Sequence, residues 1–282
     1  MKFLKKRRRS AHKGDFGHLF ILAGSLGYTG AASLCSEAAL LSGSGLVTLG
    51  IPKSLNVIVA RKVTETITFP LPETKAQTLS LKALPLILKK EESVDAFAIG
   101  PGLSQHPETV RLIHRLIARI RKPIVLDADG LNALAKDPKI LKKAKAPVIG
   151  TPHPGEMGRL TRQKSAFIQR HREKVAKDFS VRYNKITVLK GYRTVVASPQ
   201  GKLYINRTGN PGMAKAGSGD VLTGIIGSFL GQGMSPFEAA CRAVYVHGLA
   251  GDLAAKEKGE VSLIASDLLN YLPKAFKKIS PT

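Results

Sequence analysis

The chain has 282 residues, of which 43% are hydrophobic and 27 are glycine; this bounds one large α/β domain with a sizeable core and excludes a disordered chain. Its 44 Lys and Arg against 20 Asp and Glu give a formal net charge of +24, which draws polyanions, but the charge is spread along the chain without a nucleic-acid motif, so no dedicated nucleic-acid partner is expected. No apolar run reaches about 18 residues, so no membrane span is expected, and Cys35 and Cys241 read as small buried residues of a reducing cytoplasm, not as a disulfide or zinc site.

In chain order, residues 1–11 read as a basic flexible arm. Lys5-Lys6-Arg7-Arg8-Arg9 precedes no apolar stretch, which argues against a secretory signal. Residues 12–282 read as a single domain. Strands are expected at 18–23, 46–51, 95–99, 123–126, 147–149 and 186–189, and a hairpin at 194–197 and 203–205 around Pro199-Gln200-Gly201. Helices are expected at 31–41, at 107–120 with apolar positions 110, 112, 113, 116, 117 and 120, and at 163–183. A helix opening at Ser235 has an N-cap serine, Pro236 at its first position and Glu238 as a capping-box acid. Strands alternating with helices predict an α/β fold, a mostly parallel central sheet covered by helices on both faces.

The polar and glycine residues fall at the strand ends. Ala23-Gly24-Ser25, Gly100-Pro101-Gly102, Asp127-Ala128-Asp129, His153-Pro154-Gly155-Glu156 and Lys190-Gly191 all follow strands. Ligands of open α/β sheets sit outside the carboxyl ends of the strands, so these five clusters are expected on one rim. Each cluster also has an ordinary structural reading. Gly100-Pro101-Gly102 is a tight turn or a close approach to a ligand. Asp127 and Asp129 suit turn structure or a magnesium–nucleotide site, because magnesium is held by one or two carboxylates plus phosphates. His153 is rigidly placed between two prolines, and Glu156 suits metal binding or the cap of the next helix.

The richest stretch is Asn210-Pro211-Gly212-Met213-Ala214-Lys215-Ala216-Gly217-Ser218-Gly219-Asp220. After it, Val221, Leu222, Ile225, Ile226, Phe229 and Leu230 mark one apolar helix face. A small-residue loop thus feeds a helix start with Asp220 in the first turn. Free amides at Gly217, Ser218 and Gly219 would attract a phosphate, and a carboxylate beside it can take a proton from an attacking hydroxyl. The ordinary reading is a helix cap. No Gly-x-x-x-x-Gly-Lys-Ser/Thr loop and no dinucleotide fingerprint occurs, so phosphate chemistry would rest on this late glycine turn.

That placement resembles the ribokinase-like superfamily. Within it, His12-Lys13-Gly14-Asp15-Phe16-Gly17, Thr29-Gly30-Ala31-Ala32, the clusters from Gly100 to Leu103, Leu126 to Asn132, Thr151 to Glu156 and Val188 to Gly191, and the stretch from Asn210 to Asp220 resemble the ADP/ATP-dependent NAD(P)H-hydrate dehydratases in order over residues 12–272. Lys215 departs from the pattern, where a smaller or polar residue is common. The resemblance implies repair of the S-epimers of NADHX and NADPHX: a nucleotide phosphorylates the hydroxyl at C6 of the nicotinamide ring, and loss of phosphate restores the double bond. It implies Asp220 as the base, and Ala31, Gly102, His153 and Asp220 at the hydrated dinucleotide. It implies Lys190, Gly191, Tyr192, Arg193, Thr194, Gly217, Ser218 and Gly219 at ADP or ATP, with Mg2+ and the acids Asp127 and Glu156 as its candidate ligands. The N-terminal epimerase domain of bifunctional relatives is absent from this sequence, which implies a separate NAD(P)HX epimerase; a cytoplasmic homo-oligomer is expected. Two other readings stay open: a kinase of the same superfamily acting on a vitamin precursor such as hydroxyethylthiazole, and a non-catalytic polyanion-binding protein.

Overall fold

The computed structural model describes residues 8–279. Most of the basic arm therefore lies outside the described residues; Arg8, Arg9 and Ser10 are exposed and Ala11 N donates to Arg8 O in a turn. The elements are β1 (His18–Leu22), α1 (Thr29–Leu41), β2 (Leu46–Pro52), α2 (Asn56–Ala60), β3 (Ile67–Leu71), α3 (Leu84–Lys90), β4 (Ala96–Ile99), α4 (Pro107–Arg119), β5 (Ile124–Leu126), α5 (Ala128–Lys136), β6 (Val148–Gly150), α6 (Pro154–Thr161), α7 (Ser165–Arg170), α8 (Arg172–Tyr183), β7 (Ile186–Leu189), β8 (Val195–Ala197), β9 (Leu203–Ile205), α9 (Ser218–Gly231), α10 (Pro236–Lys258) and α11 (Ala265–Ile279).

One sheet joins the strands in the order β3-β2-β1-β4-β5-β6-β7-β8-β9. β1 to β7 run parallel, and β8 and β9 complete one edge antiparallel. Strand order reverses at β1, which lies between β2 and β4; such a reversal opens a crevice at the carboxyl ends. Side chains alternate through the sheet. Leu19, Ile21, Val47, Leu49, Ala96, Ala98 and Val125 face a core built with α1, α9, α10 and α11. Phe20, Leu22, Phe97, Ile99, Ile124 and Leu126 face a second core built with α3 to α8. Both faces are covered, which explains why the strands read as continuous apolar runs.

Four local expectations change. β3 is an additional edge strand; Pro70 and its partly exposed pattern hide it, since proline is tolerated only where no ladder amide is needed. The helix expected over 163–183 is broken at His171 into α7 and α8, which sets Arg172 at the start of α8 to donate to Leu189 O and Lys190 O. Ser235 makes no side-chain cap bond, and Glu238 pairs with Arg242 instead of closing a capping box. Cys35 is buried but Cys241 is only partly so, and both are free thiols.

Candidate active site

The rim is assembled by bonds between successive strand-end loops. Gly24 N donates to Pro101 O at 2.8 Å, and Ser25 Oγ donates to Gly102 O at 2.7 Å, which ties the loops after β1 and β4. Gly100 has φ +138°, and a Cβ there would lie 1.8 Å from Asp127 O; only glycine lets the β4 and β5 loops meet. Lys190 N donates to Pro152 O at 2.9 Å, joining the loops after β6 and β7. The five clusters read from the sequence thus lie on one rim, and Asp127 is its hub. Asp127 Oδ1 accepts from Thr151 Oγ1 at 2.7 Å and Lys190 Nζ at 2.5 Å, and Oδ2 accepts from Thr223 Oγ1 at 2.9 Å. Asp129, by contrast, organises a loop by accepting from Ser104 N and from the side chains of Gln105 and Asn132.

Charge is concentrated here. Burial works to lower the Lys190 pKa, but the Asp127 and Glu156 carboxylates more than offset it, so the ammonium is held charged above its ordinary range. Glu156 Oε2 stands 3.9 Å from Lys190 Nζ. Burial pushes the Glu156 carboxyl up to about 7 despite that cation. Glu156 also fulfils its capping alternative. Its Oε2 accepts from His153 N at 2.8 Å, while His153 Nδ1 accepts from Gly155 N at 3.0 Å. An accepting Nδ1 places the proton of the neutral ring on Nε2. Burial, followed by Lys190 and Arg159, lowers the His153 pKa and keeps the ring neutral.

The glycine turn faces this cluster. Gly217, with φ +91°, caps α9, and Leu34 and Ala265 crowd the place of a Cβ. The Ser218 amide is not free: it donates to Lys215 O at 3.3 Å, so of the three amides expected to receive a phosphate only those of Gly217 and Gly219 stay outside the turn's backbone bonds. A Cβ on Gly219 would lie 3.3 Å from Lys190 Nζ, which sets that ammonium directly beside the turn. Asp220 follows. Burial and then the charge of Asp127 push its carboxyl up to about 7, with Lys190 opposing. A carboxylate poised near neutrality is suited to proton abstraction.

A cleft of about 1400 Å³ opens on one side of the turn. It is lined by His153, by Lys190, Gly191, Tyr192, Arg193 and Thr194, and by Ser218 and Gly219. Tyr192 is 82% exposed, with the Arg193 guanidinium 5.4 Å from its ring centre. Ala31 and Gly102 are not on this cleft. They adjoin each other, since a Cβ on Gly102 would lie 3.4 Å from Ala31 Cβ. α1, which carries Ala31, packs on α9; burial and then the charges of Asp220 and Asp127 push the pKa of its Cys35 well up. Ser218 and Gly219 thus line the cleft, α9 packs on the helix that carries Ala31, and His153 belongs to the cleft. Sequence reasoning missed Thr223 and His247. Thr223 was legible as a polar residue one turn after Asp220 in an apolar run. Asn206, Arg207, Thr208 and Gly209, which also line the cleft, carried no signal beyond their polarity.

Among the described residues no group of three or more His, Cys, Asp or Glu is placed to hold a metal. Asp127 already accepts from Thr151, Thr223 and Lys190, which leaves one acceptor position, on Oδ2, for a metal. The donor set fits a magnesium ion carried on nucleotide phosphates, with Glu156 as the adjacent carboxylate.

A mostly parallel sheet with a late glycine turn and an acid opening the next helix defines the ribokinase-like class, and the fold matches it. Residues 19–274 match the NAD(P)H-hydrate dehydratase family, and the chain belongs to that family. It is 48% identical over 276 residues to the bifunctional NAD(P)H-hydrate repair enzyme Nnr of Moorella thermoacetica, covering 98% of this chain and 52% of that protein. It is 36% identical over 272 residues to the ADP-dependent (S)-NAD(P)H-hydrate dehydratase of Neisseria meningitidis serogroup B, covering 94% of this chain and 85% of that protein. The crystal structure of the ADP/ATP-dependent NAD(P)H-hydrate dehydratase of Bacillus subtilis, co-crystallized with ATP/Mg2+, superposes with a TM-score of 0.82 at 32% identity, covering 98% and 94% of the two chains. The chain spans about half the length of the bifunctional relatives it matches.

Proposed function

We propose that this protein dehydrates the S-epimers of NADHX and NADPHX to NADH and NADPH at the expense of ADP or ATP, in the cytoplasm, with a separate epimerase supplying the S-form. The observation that carries the reading is Asp220: a half-buried carboxyl raised to about 7 in the first turn of α9, next to the Gly217–Gly219 turn and within reach of the Lys190 charge. Family membership supports the same reading.

In this scheme the nucleotide lies in the cleft along Lys190 to Thr194, with its terminal phosphate at Gly217 to Gly219. The hydrated ring lies against Ala31 and Gly102, its C6 hydroxyl at Asp220. Asp220 takes the hydroxyl proton as the oxygen attacks the terminal phosphorus, and the nucleotide leaves shortened by one phosphate. Lys190 and the turn amides stabilise the charge that builds on the moving group, as preorganised donors do. The C6–O bond then breaks, its electron pair leaving with the phosphate while the ring nitrogen lone pair forms a double bond to C6. Loss of the hydrogen on the neighbouring ring carbon as a proton, to the departing phosphate or water, turns the C–H pair into the carbon–carbon double bond and returns the other pair to nitrogen. Magnesium, when bound with the nucleotide, neutralises phosphate charge. His153, with Nδ1 committed to its cap, offers Nε2–H as a donor and is no base.

The test is direct. Purified protein, hydrated NADH, ADP or ATP and magnesium should regenerate the absorbance of reduced nicotinamide and release one phosphate per NADH. Phosphorylation of a vitamin precursor with no recovery of NADH would establish the kinase reading instead.

A further inference from the structure

His247, Gly248, Gly251 and Asp252 are spaced i, i+1, i+4 and i+5 along α10 and so share one face of that helix. The face meets both ends of the segment that borders the cleft. His247 Nε2 lies 2.9 Å from Ser218 O and 3.3 Å from Ser218 Oγ. A carbonyl can only accept, so Nε2 carries the proton and the ring is a neutral donor. Burial keeps it so, lowering its pKa to about 4. Gly248 admits Thr208, whose Oγ1 would be 2.3 Å from a Cβ there, and Gly251 admits Met213, whose Sδ would be 2.2 Å from one. Asp252 accepts from Gly209 N at 2.9 Å and from Asn210 Nδ2 at 3.1 Å. One turn earlier, Val244 O accepts from Asn206 Nδ2 and Tyr245 O from Thr208 Oγ1.

The segment needs such a template. Ser218 stands between Gly217 and Gly219, the residues with the greatest backbone freedom, and Asp220 follows two residues later. A turn of that composition has many conformers of similar energy, whereas phosphoryl transfer needs its amides and the base fixed in advance. We propose that His247 is a positioning residue that, together with Gly248, Gly251 and Asp252, makes this face of α10 the template on which the 206–213 loop and the first turn of α9 are set for phosphate binding and transfer. His247 acts through the Ser218 carbonyl, while Asp252 fixes the loop that enters the turn. The effect on turnover rests on the proposed dehydration; the effect on nucleotide binding rests only on the proposed seat of the phosphates at Gly217 to Gly219.

The variants are His247→Leu, which removes the donor, and His247→Gln, whose amide nitrogen can reach the same carbonyl. ATP affinity is read by calorimetry without the hydrated dinucleotide, kcat with it, and folding by a thermal melt. His247→Leu should weaken ATP binding by about tenfold and lower kcat by about a hundredfold, because a displacement near 1 Å at a reacting centre has effects of that size. His247→Gln should recover both to within about fivefold. If His247→Leu only lowers the melting temperature, or if Gln performs no better than Leu, the proposal is wrong. Should the Leu variant not fold, Asp252→Asn carries the test: loss of one of the two acceptors that serve Gly209 N and Asn210 Nδ2 should weaken ATP binding about fivefold at an unchanged melting temperature, and wild-type affinity would overturn the template. A wild-type protein inactive on hydrated NADH would remove the proposed function while leaving the affinity comparison intact.

Discussion

At the scale of single residues, Asp220 couples chemistry to stability through one proton. Its carboxyl titrates near 7 in the folded protein against an ordinary 3.8, because burial and Asp127 disfavour the charge. Between those two values the folded chain holds a proton that the unfolded chain has lost, so this group lowers stability as pH rises towards 7 and imposes no penalty below about 4. As a base it must be ionised, so kcat/KM should rise with pH through about 7 and level above it. Asp220→Asn should abolish that limb and lower kcat by about 10²- to 10⁴-fold, with little loss of nucleotide affinity. The full shift corresponds to about 4 kcal/mol above pH 7, so the same variant should melt several degrees higher than wild type at pH 8 and no higher than wild type at pH 4. Wild-type turnover by the variant would reduce Asp220 to a helix-cap residue. An unchanged melting temperature at pH 8 would show that its charge is not held at a cost.

At the scale of elements, the rim depends on how closely strand-end loops approach. Gly100→Ala would drive a Cβ to 1.8 Å from the Asp127 carbonyl at a φ of +138°, whereas Gly27→Ala, at φ +85°, meets nothing within 4 Å. Urea unfolding should therefore show a loss above about 3 kcal/mol for Gly100→Ala and about 1 kcal/mol for Gly27→Ala. Equal losses would mean that the β4 and β5 loops can separate without harm. These contacts also show what sequence could and could not tell. The parallel strands and the glycine clusters after them were legible, because strands buried on both faces are continuously apolar and loop glycines stand out. β3 was not, because an edge strand is only half buried and carries Pro70. The break at His171 was not, because the contacts that go with it are tertiary: Arg172 donates to carbonyls at the end of β7. Asp220 and Lys190 could be singled out by motif, but the bond that makes Asp127 a hub joins residues 63 and 96 positions apart. The committed amide of Ser218 and the template face of α10 were hidden for the same reason.

At the scale of the whole molecule, the +24 charge is a property of the surface field more than of the site. Within the site Lys190 is already matched by Asp127 and Glu156. The unmatched charge lies elsewhere, including Arg111, Arg115 and Arg119, exposed at four-residue intervals on α4 and absent from the ion pairs among the described residues. Such a field raises the encounter rate of polyphosphate ligands and leaves bound chemistry alone. Raising ionic strength from about 0.02 to 0.5 M, which shortens the screening length from tens of ångströms to a few, should thus lower kcat/KM for the nucleotide by roughly tenfold at nearly constant kcat. Position decides which charges count. Arg193 lines the cleft, whereas Arg119 ends a 13-residue helix whose first turn follows the β4 rim loop, about 18 Å further along. At 0.15 M salt the screening length is about 8 Å. At 0.15 M Arg193→Glu should lower nucleotide kcat/KM strongly and Arg119→Glu should leave it nearly unchanged, whereas at 0.02 M both reversals should lower it. Equal effects of the two reversals at 0.15 M would show that local contact at Arg193 contributes nothing and that only total charge acts.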